Sequence, residues 1–96
     1  MKSLSDLKKV LTQNKPKLLA EYPIKSLAIF GSYARKEQQA NSDLDVLVEF
    51  RDSIGIRFID LADDIEHIMG IKVDLVSKNG IKPKYFEAIK SDLVYV

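Results

Sequence analysis

Three sets of residues have the types and spacing that phosphate chemistry demands: Gly31-Ser32, Asp43-x-Asp45 and Asp74. A glycine lets a phosphate approach the backbone closely, and a serine adds a hydroxyl donor. A Gly-Ser pair alone is ordinarily a turn with a serine cap. If Ser32 caps a short helix running to about Glu37, free backbone N–H groups and partial positive charge would face the turn. The loop is not of the Walker type, because no GxxxxGK[ST] occurs in the chain.

Ten residues after Gly31-Ser32 come Asp43 and Asp45. In an extended strand they point to one face, roughly 6.5–7 Å apart along the chain. Two carboxylates on one face repel each other, a cost that a cation removes. Mg²⁺ is the natural candidate, since it takes hard oxygen ligands and shares its shell with substrate phosphates. Asp74 interrupts the apolar segment IKVDLVS. A carboxylate there needs a partner, and if its strand lies beside the Asp43 strand, three carboxylates converge. That set can hold two cations, or one cation and a general base. Arg35 lies one turn after Ser32, where its guanidinium could reach a phosphate, or could simply be a solvated helix residue. His67, the only histidine, falls on the polar side of a helix and is not expected at the site.

These residues must be positioned by a few regular elements. Ser3 to Gln13 has the 3.6-residue apolar period of a helix, with Ser3 and Asp6 spaced as a capping box. Asn14-Lys15-Pro16 is expected to break it, with a second short helix from Pro16 to about Glu21. Ile24 to Phe30 reads as a strand covered on both faces, and Asp43 to Phe50 as a second strand. Ile56 to Met69 is the longest helix, with Gly70 as its C-cap and Asp60, Asp63, Asp64 and Glu66 on a solvated face, or on one that could meet a basic partner surface. Ile71 to Ser77 is the third strand. Asn79-Gly80 is a turn, Pro83 opens a last helix to about Lys90, and Leu93 to Val96 is β-prone. The fold class is therefore α/β, α+β in stricter terms: a small mixed sheet with helices packed mainly on one face.

Composition narrows the function classes. At 96 residues the chain is expected to form one domain, residues 1–96. A net charge of +1 gives no bulk attraction to nucleic acid or membrane, and no apolar run has the length of a membrane span. There is no cysteine, hence no disulfide frame, thiolate metal site or cysteine nucleophile. The N-terminal MKSLSDLKK lacks a signal-peptide core, and a cytoplasmic location is expected.

The stretch GSYARKEQQANSDLDVLVEF, with IKVDLV around Asp74 and the closing DLVYV, resembles the signature of the DNA polymerase β-like nucleotidyltransferase superfamily. Within it the chain is most similar to the minimal nucleotidyltransferases, the MNT antitoxins paired with HEPN toxins. The resemblance implies a polymerase β-like core. It implies that Gly31 and Ser32, with Arg35 as a secondary candidate, hold the nucleotide triphosphate. Asp43, Asp45 and Asp74 would then be the catalytic carboxylates and ligands of Mg²⁺, with two ions expected, and ATP would be the substrate. The implied reaction transfers AMP to a hydroxyl, a tyrosine of a cognate HEPN-domain ribonuclease toxin, which is thereby neutralised in a hetero-oligomer. Two other readings stand beside it: an antitoxin that acts by occlusion without catalysis, and a subunit of an enzyme modifying a small molecule.

Overall fold

The sheet is built outward from Ile24–Phe30, where five of seven side chains are buried. The computed structural model describes residues 2–96. The strands are β1 (Ile24–Phe30), β2 (Leu44–Phe50), β3 (Val73–Ser77) and the two-residue β4 (Val94–Tyr95). They lie in the order β3-β2-β1-β4. β1 runs antiparallel to β2 and to β4, while β2 and β3 are parallel. A parallel pair needs a crossover, and the helix α2 (Arg57–Met69) provides it. The other helices are α1 (Leu4–Glu21) and α3 (Pro83–Ile89), the latter running into a 3-10 turn at Lys90–Asp92.

The two faces of the sheet are covered unequally. On the main face, Leu7, Leu11 and Leu18 of α1 and Leu61, Ile65 and Met69 of α2 pack on Leu27, Ile29, Leu44, Val46, Val48 and Phe50. Each such side chain contributes roughly 1.5–3 kcal/mol when fully buried. The second face carries a smaller cluster of Ala28, Phe30 and Leu47, partly covered by Val76, Ile81, Phe86, Ile89 and Leu93. The architecture is thus α+β with a mixed sheet, as the sequence pattern predicts, and α3 is the one helix on the second face.

A β-bulge makes this division possible. Ile24 pairs with Phe50 and Ser26 with Glu49, so Lys25 has no partner. Strict alternation would place Ile24 on the side of Ala28 and Phe30. The extra residue turns it to the main core beside Leu27 and Ile29.

Two expectations about helices need correction, one here and one at the site. The predicted break at Asn14-Lys15-Pro16 does not occur, and α1 is continuous with Pro16 inside it. Proline removes the hydrogen bond to the Thr12 carbonyl, but both residues are exposed, so water satisfies that group. The buried stripe of Leu7, Leu11 and Leu18 spans the proline and holds both halves in line. Tertiary packing offsets a local penalty of about 3 kcal/mol. At the N-terminus the capping box is present as predicted, with the Asp6 amide donating to Ser3 Oγ at 3.1 Å and the Ser3 amide to Asp6 Oδ2 at 3.3 Å. α2 ends as expected at Gly70, which is left-handed (φ 69°) and donates its N–H to the Glu66 carbonyl.

The acidic side of α2 is less free than its pattern implies. Tyr22, just past α1, donates its hydroxyl to Asp64 Oδ2 at 2.5 Å. Burial first, then Asp64, pushes that hydroxyl's pKa up to about 12. Arg57 lies over the Tyr22 ring at 4.9 Å and donates to the Glu21 carbonyl. Glu66 accepts the Val73 amide at 3.1 Å, which ties α2 to the start of β3. No helix among the described residues is long and apolar enough to cross a membrane. Tyr22→Phe keeps the ring and removes only the bond to Asp64. It should lower unfolding stability by about 1–2 kcal/mol, measured by urea denaturation. An unchanged midpoint would mean the bond contributes nothing to joining α1 and α2.

Candidate active site

Strand register assembles the site. Antiparallel pairing sets Phe30, the last residue of β1, opposite Asp45 near the start of β2. Parallel pairing then sets Asp74 of β3 opposite Asp45. Both aspartates alternate with main-core residues, so both lie on the second face of the sheet. Asp43 precedes the first residue of β2 and is exposed. The expected second strand therefore begins one residue later than the sequence pattern suggests, and the third begins at Val73 rather than Ile71.

Gly31 follows Phe30 directly, with φ of 76°. Its Cα is in close contact with the Asp45 carboxylate. A Cβ built there would collide with Asp45 Oδ2 and stand 3.0 Å from Cγ. Glycine is required twice, by the left-handed backbone and by the space. The carboxylate and the turn are thereby held in contact.

The predicted helix from Ser32 to Glu37 is not formed, and this is the second correction. The segment is a series of turns. The Arg35 amide donates to the Gly31 carbonyl at 3.1 Å, Lys36 to Tyr33 at 3.2 Å, and Glu37 to Ser32 at 2.8 Å. These spacings of four, three and five residues cannot propagate a helix, and Lys36 closes the segment in a left-handed conformation (φ 59°). Tyr33 is buried in the main core and draws the chain down into it. The helix-dipole argument for phosphate binding therefore does not apply. Among the described residues, no hydrogen bond uses the amides of Ser32, Tyr33 or Ala34. Those three consecutive donors, the Ser32 hydroxyl and the bare Gly31 Cα are what the turn offers an anion.

The Asp45 carboxyl has a raised pKa. Burial raises it first, then the charges of Asp74 and Asp43, while Arg35 pulls it down. A carboxyl whose folded pKa is raised binds more protons in the folded state. It costs stability once the pH has risen through that raised pKa, and the cost disappears as the pH falls below the ordinary value of 3.8. The ionised form of Asp45 is thus held in the fold at a cost to stability.

Arg35 lies in the turn rather than on a helix, and its guanidinium is engaged by two carboxylates. Nη1 donates to Asp92 Oδ2 at 2.8 Å and Nε to Glu37 Oε1 at 2.8 Å. Asp92 first, then Glu37, raises its pKa above the usual arginine value. Asp92 escaped the reading of the sequence, because it lies 57 residues from Arg35 with no local pattern around it. His67 is exposed on α2, on the main-face side and away from these groups.

The donor set suits a hard divalent cation: carboxylate oxygens on adjacent strands, already repelling one another at Asp45. Among the described residues no three carboxylate or imidazole groups converge closely enough to cage an ion. A closed cage is not what Mg²⁺ requires, since it usually binds through one or two carboxylates plus water and phosphate oxygens. Asp45 with Asp74 or Asp43 fits that requirement.

A short mixed sheet with a glycine turn pressed against a strand aspartate defines a minimal nucleotidyltransferase fold. Residues 7–96 match the family model described as the nucleotidyltransferase domain, and the chain belongs to that family. A presumed protein adenylyltransferase of Methanocaldococcus jannaschii is 47% identical over 98 residues, covering 100% of both chains. The protein adenylyltransferase MntA of Thermococcus cleftensis is 33% identical over 97 residues, covering 100% of this chain and 98% of its own. Among solved structures, a presumed minimal nucleotidyltransferase superposes with a TM-score of 0.74 at 28% identity, covering 92% of this chain and 93% of that one. A chain of the solved complex between a tri-AMPylated HEPN toxin of Shewanella oneidensis and an MNT antitoxin shares the fold, with a TM-score of 0.67 at 20% identity, covering 93% of this chain and 70% of that one.

Two substitutions test the geometry. Gly31→Ala should destabilise the chain by roughly 1–2 kcal/mol from the left-handed backbone alone, before the collision with Asp45 is counted. Thermal unfolding measures this, and a neutral result would place Asp45 elsewhere. Asp45→Asn should raise the melting temperature by a few degrees at pH 7 in the presence of a chelator. That gain should vanish below pH 3.8, where both states of the wild-type carboxyl are protonated. A loss of stability at pH 7 would contradict the burial cost and repulsion assigned to Asp45.

Proposed function

We propose that the chain is an Mg²⁺-dependent nucleotidyltransferase that moves AMP from ATP to a hydroxyl, a tyrosine of a HEPN-domain toxin, and neutralises that toxin by the modification. The observation that carries this reading is the placement of Asp45 between Asp74 on the neighbouring strand and the bare Cα of Gly31. A carboxylate pair is thus set against a turn able to take phosphate. What the relatives are named for supports this choice of acceptor: protein adenylyl transfer, and an MNT antitoxin in complex with an AMPylated HEPN toxin.

The residues divide the work by chemistry. Gly31 admits the triphosphate to the backbone, and the Ser32 hydroxyl and the turn amides donate hydrogen bonds to it. Asp45, with Asp43 or Asp74, would hold Mg²⁺, which when bound supplies charge neutralisation for the phosphates. The attacking hydroxyl oxygen forms a bond to the α-phosphorus, and the bond from that phosphorus to the bridging oxygen breaks, releasing pyrophosphate. Asp74, on the outer strand and exposed, would take the hydroxyl proton on a carboxylate oxygen. The burial of Asp45 and its repulsion by Asp74 and Asp43, which work against folding, make the site receptive to cationic charge.

The deciding experiment incubates the chain with a HEPN toxin, Mg²⁺ and α-labelled ATP. Label should appear on the toxin and be lost on Tyr→Phe substitution of its acceptor. Asp43→Ala and Asp45→Ala should reduce labelling by about two orders of magnitude or more. Neutralisation of the toxin by Asp45→Ala, with no label from wild type, would replace this reading with inhibition by occlusion.

A further inference from the structure

The nucleotide-side cation, Arg35, is held by a carboxylate from the far end of the chain. Its two partners are not equivalent. Glu37 is two residues away on the same turn, and its side chain is 64% exposed. Pairs of that kind contribute little. Asp92 is only 21% exposed, and its position is fixed on both sides. Before it, Phe86 and Ile89 of α3 pack on the second-face cluster. After it, Leu93 joins the same cluster, and Val94 and Tyr95 pair with Ile29 and Ala28 of β1. Asp92 is therefore an anchored carboxylate. The Arg35–Asp92 bond joins the turn that begins at Gly31 to the segment feeding β4.

From these contacts we infer that Asp92 is a positioning residue for the nucleotide site, acting through Arg35. The inference rests on the nucleotidyltransferase reading above. A guanidinium has five N–H donors in a rigid planar fork. Two are committed, one each to Asp92 and Glu37, which leaves three. With one edge fixed by Asp92, the remaining donors are presented in a defined direction, without the rotamer entropy that a free arginine loses on binding. Arg35 is close enough to the carboxylates for its charge to be felt at Asp45. The same clamp restrains the turn itself. The Arg35 amide closes the turn on the Gly31 carbonyl, and Gly31 is in contact with Asp45. Asp92 thus sets both the direction of a phosphate donor and the seat of the turn, without touching the nucleotide. Lysine at position 35 cannot do the same, because a single ammonium has no second edge to hold while it donates elsewhere.

The test is binding rather than turnover, so it does not depend on the acceptor. Affinity for a non-hydrolysable ATP analogue with Mg²⁺ is measured by calorimetry for wild type, Asp92→Asn, Asp92→Glu, Arg35→Lys, Arg35→Ala and the Arg35→Ala/Asp92→Asn double variant. Asp92→Asn should weaken binding about tenfold, the scale of a lost charge-assisted contact, with the melting temperature held within a few degrees. Asp92→Glu should recover most of the loss, and Arg35→Lys should not. In the Arg35→Ala background, Asp92→Asn should cost nothing further. Wild-type affinity in Asp92→Asn, or an equal loss with and without Arg35, would overturn the assignment. Failure of the wild-type chain itself to bind the analogue would instead sink the nucleotidyltransferase reading beneath it.

Discussion

The carboxylate of Asp45 lies against the Cα of Gly31, with the Asp74 carboxylate on the next strand and Asp43 just before its own. This contact depends on two registers at once. Phe30 must pair with Asp45 so that the β1 turn begins beside it, and Asp74 must pair with Asp45 in the parallel ladder. A slip of one residue in either pairing would turn a carboxylate into the main core. The hydrophobic pattern forbids such a slip. Leu44, Val46 and Val48 are fully buried under α1 and α2, so the opposite face of β2 has no freedom about where Asp45 goes.

The division of the sheet into a thick face and a thin one follows from this requirement. The main core carries most of the buried apolar surface and contains none of the site carboxylates. The second face has room for polar groups because only α3 and a few partly buried side chains beside it, Val76, Ile81 and Leu93, cover it. Like charges held together there work against folding, and the main core is large enough to tolerate them. The Arg35–Asp92 bond gives the turn a second point of attachment beyond β1.

Much of the fold was legible because apolar periodicity is a local property. The three longer strands, α2 with its Gly70 cap, the last helix and the β-prone tail all appear close to where the pattern put them. The errors fell where a distant group decided a local outcome. Pro16 argues for a break, yet Leu11 and Leu18 pack on the same core and keep α1 whole. Ser32 to Glu37 has the composition of a capped helix, yet burial of Tyr33 and a left-handed Lys36 make it a turn. Asp64 and Glu66 read as solvated, yet they bind Tyr22 and the start of β3.

The sequence by itself determined the chemistry on offer: a glycine-serine turn, two aspartates at alternate positions, and a third in an apolar strand. Residue type and short-range spacing carry that information, because a strand's alternation sets which side chains share a face. Only the tertiary structure decided that β3 lies parallel beside β2, so that Asp74 meets Asp45, and that Gly31 presses on the Asp45 carboxylate. It also brought Asp92 to Arg35 across 57 residues. Strand order and side-chain contact depend on how separate segments close over one core, and no stretch of sequence encodes that closure locally.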